Sequence, residues 1–164
     1  MSNLSSLLNK NGLLIMEIPN KYFLGFVASD GHFGLFGITL LDHLDATKYF
    51  EKFFDFSYDV GEYYDLDYYI KVFKQLGCVA DNIQLKGLQD IYGFKDLPKF
   101  ILNTCVSYLT FLRNFYRIPI KTSAIIHFNF FKYILSLTRD YLFGLLSSKR
   151  KKIFLEKYLS RFWI

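Results

Sequence analysis

The chain is organised around residues 22–33, which read Tyr22-Phe23-Leu24-Gly25-Phe26-Val27-Ala28-Ser29-Asp30-Gly31-His32-Phe33. Pro19 and Asn20 precede this stretch and predict the start of a short helix, because proline fixes the dihedral angle of a first turn and asparagine caps free amides. On this helix Gly25 and Ser29 lie four residues apart on one face, where two small side chains let a second backbone approach closely. The stretch therefore predicts a short helix with a packing surface, flanked by apolar side chains such as Phe26.

Asp30 is expected at the C-terminal end of this helix. The helix dipole is negative there and disfavours a carboxylate by about 0.3 to 1 kcal/mol, a penalty that a bound cation would reverse. The alternative is an ordinary helix stop, in which an exposed Asp30 precedes Gly31 as a left-handed terminator. The residues themselves leave both interpretations open.

Residues 23–31 resemble the nine-residue LAGLIDADG motif of homing endonucleases and intron maturases, and His32-Phe33 stands where that family continues into its first strand. Residues 91–100 are similar to the family's strand-to-helix passage. Residues 117–123, which read Arg117-Ile118-Pro119-Ile120-Lys121-Thr122-Ser123, resemble its Pro-Leu-x-Thr-Lys loop. The resemblance covers residues 21–142 and implies an α+β fold with αββαββα order.

Sequence periodicity predicts elements in the same order. Residues 54–60 alternate apolar and polar side chains, which is typical of a strand, and residues 65–76 have the spacing of an amphipathic helix. In chain order we predict the motif helix, a strand over 32–41, a polar turn over 42–48, a strand over 54–60, a helix over 65–76, extended segments over 79–85 and 88–92, and helices over 98–115, 123–137 and 149–162. The predicted fold class is an α+β LAGLIDADG-type domain over residues 20–142, with a lead-in over 1–19 and a basic C-terminal helix over 143–164.

Charge is divided unevenly along the chain. Residues 1–98 carry 8 Lys and 13 acidic residues, whereas residues 99–164 carry 12 Lys or Arg and 2 acidic residues. A polyanion is therefore expected to bind the C-terminal part, through sequence-independent phosphate contacts. The predicted contacts are Arg113, Arg117, Lys121 and the cluster Lys149, Arg150, Lys151, Lys152, although a run of charges is also typical of a solvated helix start.

The resemblance implies a catalytic arrangement. In the family, two motif helices pack side by side and each delivers one acid to metal ions that stabilise the attacking and leaving oxygens of a phosphodiester. With one motif in this chain, the resemblance implies a homodimer that supplies Asp30 twice, with Gly25, Ser29 and Phe26 at the contact. Asp30 and the Ser29 carbonyl would bind Mg²⁺, and Lys121 resembles the family's basic residue near the scissile phosphate.

Other residues depart from the family pattern. Residues 60–65 contain neither the Gln nor the Arg that family members often place after the second strand. Asp55 and Asp59 fall on the polar side of a strand that the family lays along DNA, where like charges repel phosphates. Two functions therefore stay open: a dimeric, Mg²⁺-dependent DNA endonuclease, or a non-cleaving protein bound to structured RNA, as an intron maturase or an organellar ribosome component. An unrelated aromatic-rich interaction protein is a third alternative.

The remaining sequence features concern metal sites, membrane spans and the cellular location of the protein. Cys78 and Cys105 lack metal-site spacing, as do the 3 His, so we expect reduced core thiols and a core His127 with its hydrogen bonds satisfied. No apolar run reaches the roughly 18 residues of a membrane span, which favours a soluble or peripheral protein. Phe, Tyr, Ile, Lys and Asn, whose codons are rich in A and T, far outnumber Gly, Ala, Pro and Arg, which indicates a low-GC genome. Residues 1–20 resemble no transit sequence, so we expect an organelle-encoded protein of mitochondria or plastids.

Overall fold

A computed structural model describes residues 12–79, 92–160 and 162–163. Within these ranges the chain is mainly helical. The α-helices are α1 (Leu24–Ala28), α2 (His43–Phe50), α3 (Leu66–Gln75), α4 (Leu97–Asn114), α5 (Ile120–Leu146) and α6 (Ser148–Tyr158), with short 3₁₀ helices at Ile38–Leu40, Phe94–Asp96 and Phe115–Arg117.

The predicted αββαββα fold is wrong. Among the described residues, the paired strands are limited to β1 (Glu17–Ile18) and β2 (Phe162–Trp163), which form an antiparallel ladder of two residues each. The predicted strand over 32–41 is replaced by turns and a 3₁₀ helix, because glycines 31, 34 and 37 have positive φ angles of 83°, 71° and 69° that turn the chain. Residues 80–91, which include most of two predicted extended segments, lie outside the described residues.

The alternating segment over residues 54–60 forms no regular element. Its aromatic rings pack around one residue of α2 instead of a neighbouring strand. The ring centroids of Phe54, Phe56 and Tyr58 lie 4.6, 5.1 and 5.2 Å from that of Phe50. The period-two pattern therefore reflects side chains that share one side of an irregular segment.

Local capping explains where several helices begin. Asp65 accepts a hydrogen bond from the Tyr68 amide at 2.9 Å, so α3 begins where it was predicted. Asp42 does the same for the Asp45 amide at 2.8 Å, so α2 replaces the predicted polar turn over 42–48. The predicted helices over 98–115, 123–137 and 149–162 are confirmed as α4, α5 and α6, with α5 longer at both ends and α6 ending earlier.

The start of the motif helix differs from the prediction. α1 begins at Leu24, and Asn20 instead holds the C-terminal end of α6. The Asn20 Nδ2 donates hydrogen bonds to the carbonyls of Lys157 and Ser160 at 2.9 and 2.7 Å, and its Oδ1 accepts one from the Tyr22 amide at 3.0 Å. The motif segment is thus attached to the C-terminal part of the chain.

Helix α5 connects the two larger apolar clusters. One cluster includes Ile38, Phe50 and Ile126, and the other includes Val27, Tyr133, Leu137, Phe154 and Tyr158. A smaller cluster joins Ile18 to Tyr69 and Phe73 of α3. With 27 residues, α5 is about 40 Å long, and it packs against α6 while its opposite face is exposed.

Candidate nucleic-acid interface

Asp30 is buried, with 2% of its surface exposed, in the loop that follows α1. Its Oδ1 accepts hydrogen bonds from the amides of Phe33 and Leu35, both at 3.1 Å, and its Oδ2 is 3.4 Å from the Phe33 amide. An exposed Asp30 at a helix stop is therefore wrong, although Gly31 does adopt the left-handed conformation. The buried carboxylate therefore stabilises the loop over residues 30–35 by accepting hydrogen bonds from its backbone amides.

Three buried tyrosines lie near enough to this carboxylate for its charge to affect them. Burial raises the pKa of Tyr49, Tyr58 and Tyr63, and the negative charge of Asp30 raises it further, to about 12 for Tyr58. The Tyr63 hydroxyl is buried without a hydrogen-bond partner among the described residues. In the same part of the chain, no group of three or more His, Cys, Asp or Glu is placed to hold a metal ion. Asp30 thus lies among neutral hydroxyls and backbone amides.

The other motif residues lie against α4 of the same chain. A Cβ placed on Gly25 would lie 2.6 Å from the Phe23 ring, so that ring covers the Gly25 end of the small-residue face. The Phe23 ring is in turn 5.3 Å from Phe100 of α4 and 5.1 Å from Phe26. The Ser29 side chain is exposed. Within the described residues, the helix that packs on α1 is therefore α4.

Three cations follow one line along the exposed face of α5. Lys121, Lys132 and Arg139 are spaced by 11 and 7 residues, which places them within about 20° of one another around the helix. All three are exposed, and Arg139 Nη2 pairs with Asp140 Oδ1 at 2.9 Å. We call these three residues the α5 strip.

The predicted nucleic-acid contacts lie at the two ends of α5. Arg113 and Arg117 are exposed near its N-terminus, close in sequence to Lys121. The four predicted cations of α6 follow its C-terminus and are also exposed, namely Lys149, Arg150, Lys151 and Lys152. We call these four the α6 cluster. Because α5 is about 40 Å long, it separates the two groups, and the α5 strip runs between them.

Several of these cations lie over aromatic rings. The Arg117 guanidinium lies 5.3 Å from the centroid of the Phe53 ring. In the α6 cluster, Arg150 and Lys151 lie 4.9 Å from the rings of Phe143 and Phe94 respectively. Such contacts hold a cation near an apolar surface while it remains available to an anion.

A cavity of about 290 Å³ lies beside the middle of the α5 strip. We call it the lysine pocket, since it is lined by Lys21, Lys132 and Lys157 together with Tyr22, Tyr133 and Ser136. Sequence reasoning did not identify these lysines, which come from the segment before α1, from α5 and from α6. The spacing of Lys132 from Lys121 was a usable signal for one of them.

A polar network joins α5 to α6 at the wall of this pocket. Lys157 Nζ and the Tyr158 hydroxyl lie 2.9 and 2.8 Å from Asp140 Oδ2, and the Ser136 hydroxyl is 2.9 Å from that of Tyr158. Burial alone would raise the pKa of Asp140, but hydrogen bonds from Lys157, Tyr158 and Arg139 outweigh it and lower that pKa. Asp140 is therefore a stable anion that neutralises Lys157.

The other predicted residues have structural positions. His127 is half-buried and its Nδ1 lies 2.7 Å from the Ser123 carbonyl, so one ring nitrogen has the expected hydrogen bond. Cys78 and Cys105 are free thiols, but Cys105 is exposed and its predicted core position is wrong. Among the described helices, none combines the length and apolar character that crossing a membrane requires.

In comparisons with known proteins, the chain matches no protein-family model, no curated protein and no solved structure.

Proposed function

We propose that the protein binds nucleic acid without cleaving it, and that it contacts the phosphate backbone of structured RNA along α5 and the start of α6. The observation that carries this proposal is the α5 strip, which continues into the α6 cluster to give exposed cations over a distance of about 40 Å. The setting that we propose is an organelle, where the protein would serve as an intron maturase or a ribosome-associated structural protein.

The state of Asp30 favours the non-cleaving function over the endonuclease. A catalytic carboxylate has to be available to Mg²⁺, whereas Asp30 is buried and already accepts hydrogen bonds from two backbone amides. The face of α1 that a second motif helix would use is covered at Gly25 by Phe23, which contacts Phe100. Binding of structured RNA requires neither feature, because shape and phosphate contacts suffice.

A salt titration with matched variants tests the phosphate contacts. The first variant combines Lys121→Gln, Lys149→Gln and Lys151→Gln, which removes three exposed cations from the proposed surface. The control combines Lys48→Gln, Lys52→Gln and Lys74→Gln, which removes three exposed cations from the acidic N-terminal part. For RNA from the source genome, we plot the logarithm of the association constant against the logarithm of the salt concentration. We expect the slope of this plot to become less steep by about 2 in the first variant. The control slope should equal that of the wild type.

Equal slopes in the two variants would contradict this surface. The endonuclease is examined by incubating wild type and Asp30→Asn with Mg²⁺ and DNA from the same genome. DNA cleavage by the wild type and not by Asp30→Asn, together with a homodimer in sedimentation, would replace the RNA-binding proposal with the enzyme. Co-purification of ribosomal or intron RNA without cleavage is the outcome that we expect.

A further inference from the structure

We propose that the lysine pocket binds a terminal phosphate monoester of the RNA, an inference that rests on the proposed function. The pocket shares Lys132 with the α5 strip, but it is a partly open recess lined by residues from three parts of the chain and not one face of a single helix. Its volume of about 290 Å³ is near the lower end of small-molecule sites, which begin at roughly 300 Å³. It therefore has room for a phosphate with part of the attached nucleotide and not for a folded segment of RNA.

The charges around the pocket are unbalanced. Asp140 pairs with Lys157 at 2.9 Å, and within the described part of the chain neither Lys21 nor Lys132 forms an ion pair. Because Asp140 also pairs with Arg139, at least two positive charges, those of Lys21 and Lys132, remain unpaired on the pocket wall. A phosphate monoester carries a charge of about −1.5 to −2, which balances them, whereas an internal phosphodiester carries only one negative charge.

The hydrogen-bonding groups of the pocket are held in place before a ligand binds. The Ser136 hydroxyl lies 2.9 Å from the Tyr158 hydroxyl and 3.5 Å from Lys157 Nζ. Lys157 Nζ in turn lies 5.3 Å from the centroid of the Tyr22 ring. These contacts reduce the entropy that the side chains lose when an anion binds, because their positions are already restricted.

The aromatic wall gives the pocket a surface for the nucleoside beside the phosphate. The rings of Tyr22 and Tyr133 are stacked, with centroids 6.5 Å apart, and the Tyr133 hydroxyl donates a 2.9 Å hydrogen bond to the Tyr22 carbonyl. Lys132, which is exposed, lines the pocket as well, and its Nζ lies 4.3 Å from the centroid of the Phe128 ring outside the pocket. A terminal nucleotide can place its phosphate among the lysines and its sugar or base against the half-buried Tyr22 ring, which the buried Tyr133 supports from behind.

Oligonucleotides that differ in one phosphate test the inference. RNAs of one sequence are prepared with a 5′-phosphate, with a 3′-phosphate and with hydroxyls at both ends, and the dissociation constants are measured. We expect roughly tenfold tighter binding for one of the phosphorylated forms, as charge-assisted hydrogen bonds provide. Lys21→Gln should remove this preference, and Lys52→Gln, an exposed lysine elsewhere, should retain it. The Thr39 hydroxyl contacts the carbonyl of Lys21, so the substitution leaves that contact in place.

Equal affinity for all three RNAs, or a preference that survives in Lys21→Gln, would overturn the inference while RNA binding itself stands. If no RNA binds, the proposed function fails and the pocket is judged separately. Adenosine 5′-monophosphate is then titrated into the protein and followed by NMR. Shifts at Tyr22 and Tyr133 that Lys21→Gln abolishes would support the phosphate site, and unchanged spectra would refute it.

Discussion

Asp30 and Asp140 are two carboxylates that the protein withdraws from water in different ways. Asp30 is 2% exposed and accepts hydrogen bonds from backbone amides three and five residues further along the chain. The Asp140 side chain is 21% exposed and is bound by Lys157, Tyr158 and Arg139. The first carboxylate is stabilised by main-chain dipoles and the second by side-chain charges and a hydroxyl.

This difference shows which of the two carboxylates is connected to the proposed binding surface. The partners of Asp30 belong to its own loop, so the residue determines the path of the chain between α1 and the 3₁₀ helix at Ile38–Leu40. The partners of Asp140 include residues of α6, and one of them, Lys157, lines the lysine pocket. A change of charge at Asp140 therefore reaches the proposed binding surface, whereas a change at Asp30 acts on folding.

The largest effect is expected from Asp30→Ala. The substitution leaves the amides of Phe33 and Leu35 without their hydrogen-bond acceptor, and each unsatisfied donor costs about 1 to 3 kcal/mol. We expect the free energy of unfolding to fall by about 3 kcal/mol in urea denaturation followed by circular dichroism.

Asp30→Asn is the matched control for this prediction. Oδ1 alone accepts both 3.1 Å hydrogen bonds, and an asparagine retains one acceptor oxygen. The asparagine variant should therefore keep most of the stability, with a loss of about 1 kcal/mol. If both variants were as stable as the wild type, Asp30 would not organise the loop.

A smaller effect, which depends on pH, is expected from Asp140→Asn. Its pKa in the folded protein is lowered, so the ionised carboxylate stabilises the fold above the pKa of the unfolded chain, about 3.9, and that contribution is lost as the pH falls through the lower folded value. Because Asp140 and Lys157 are partly exposed, the loss at pH 7 should be about 1 to 2 kcal/mol. Urea denaturation at pH 7 and pH 3 measures it.

The pH comparison separates charge from packing in this network. Asparagine still offers an oxygen to the Tyr158 hydroxyl and removes only the negative charge. The stability difference between wild type and Asp140→Asn should therefore be largest at pH 7 and shrink at pH 3. A difference that is the same at both pH values would mean that the charge contributes nothing.

Local signals in the sequence were enough to find several helices. Asp65 as an N-cap and Pro98 in a first turn predict α3 and α4 because each acts within a few residues. The alternation over residues 54–60 misled because a period of two shows that apolar side chains share a side, and not that a partner strand exists. Those rings pack on Phe50, which the periodicity does not reveal.

The candidate site was predicted in part. Charge along the sequence identified the exposed cations of α6, which need no tertiary information. Lys21 and Lys157 are 136 positions apart and meet where Asn20 is hydrogen-bonded to the end of α6. The burial of Asp30 was missed for a similar reason, because its amide partners converge only when the glycines between them take left-handed conformations.

The smallest effect is expected from Gly34→Ala, which tests how firmly Asp30 holds its loop. Gly34 lies between the two amides that bind Asp30 and has φ +71°, where an alanine costs about 1 kcal/mol, while the nearest atom to an added Cβ is 4.0 Å away. Gly61→Ala, at a position with open space and no positive φ, is the control and should stabilise slightly. The loop can relax in the Asp30→Ala protein, so Gly34→Ala should lower the free energy of unfolding less in that background than in the wild type. A cost that is unchanged in that background, measured as a double-mutant cycle in urea, would mean that the backbone and not the carboxylate fixes the conformation of residue 34.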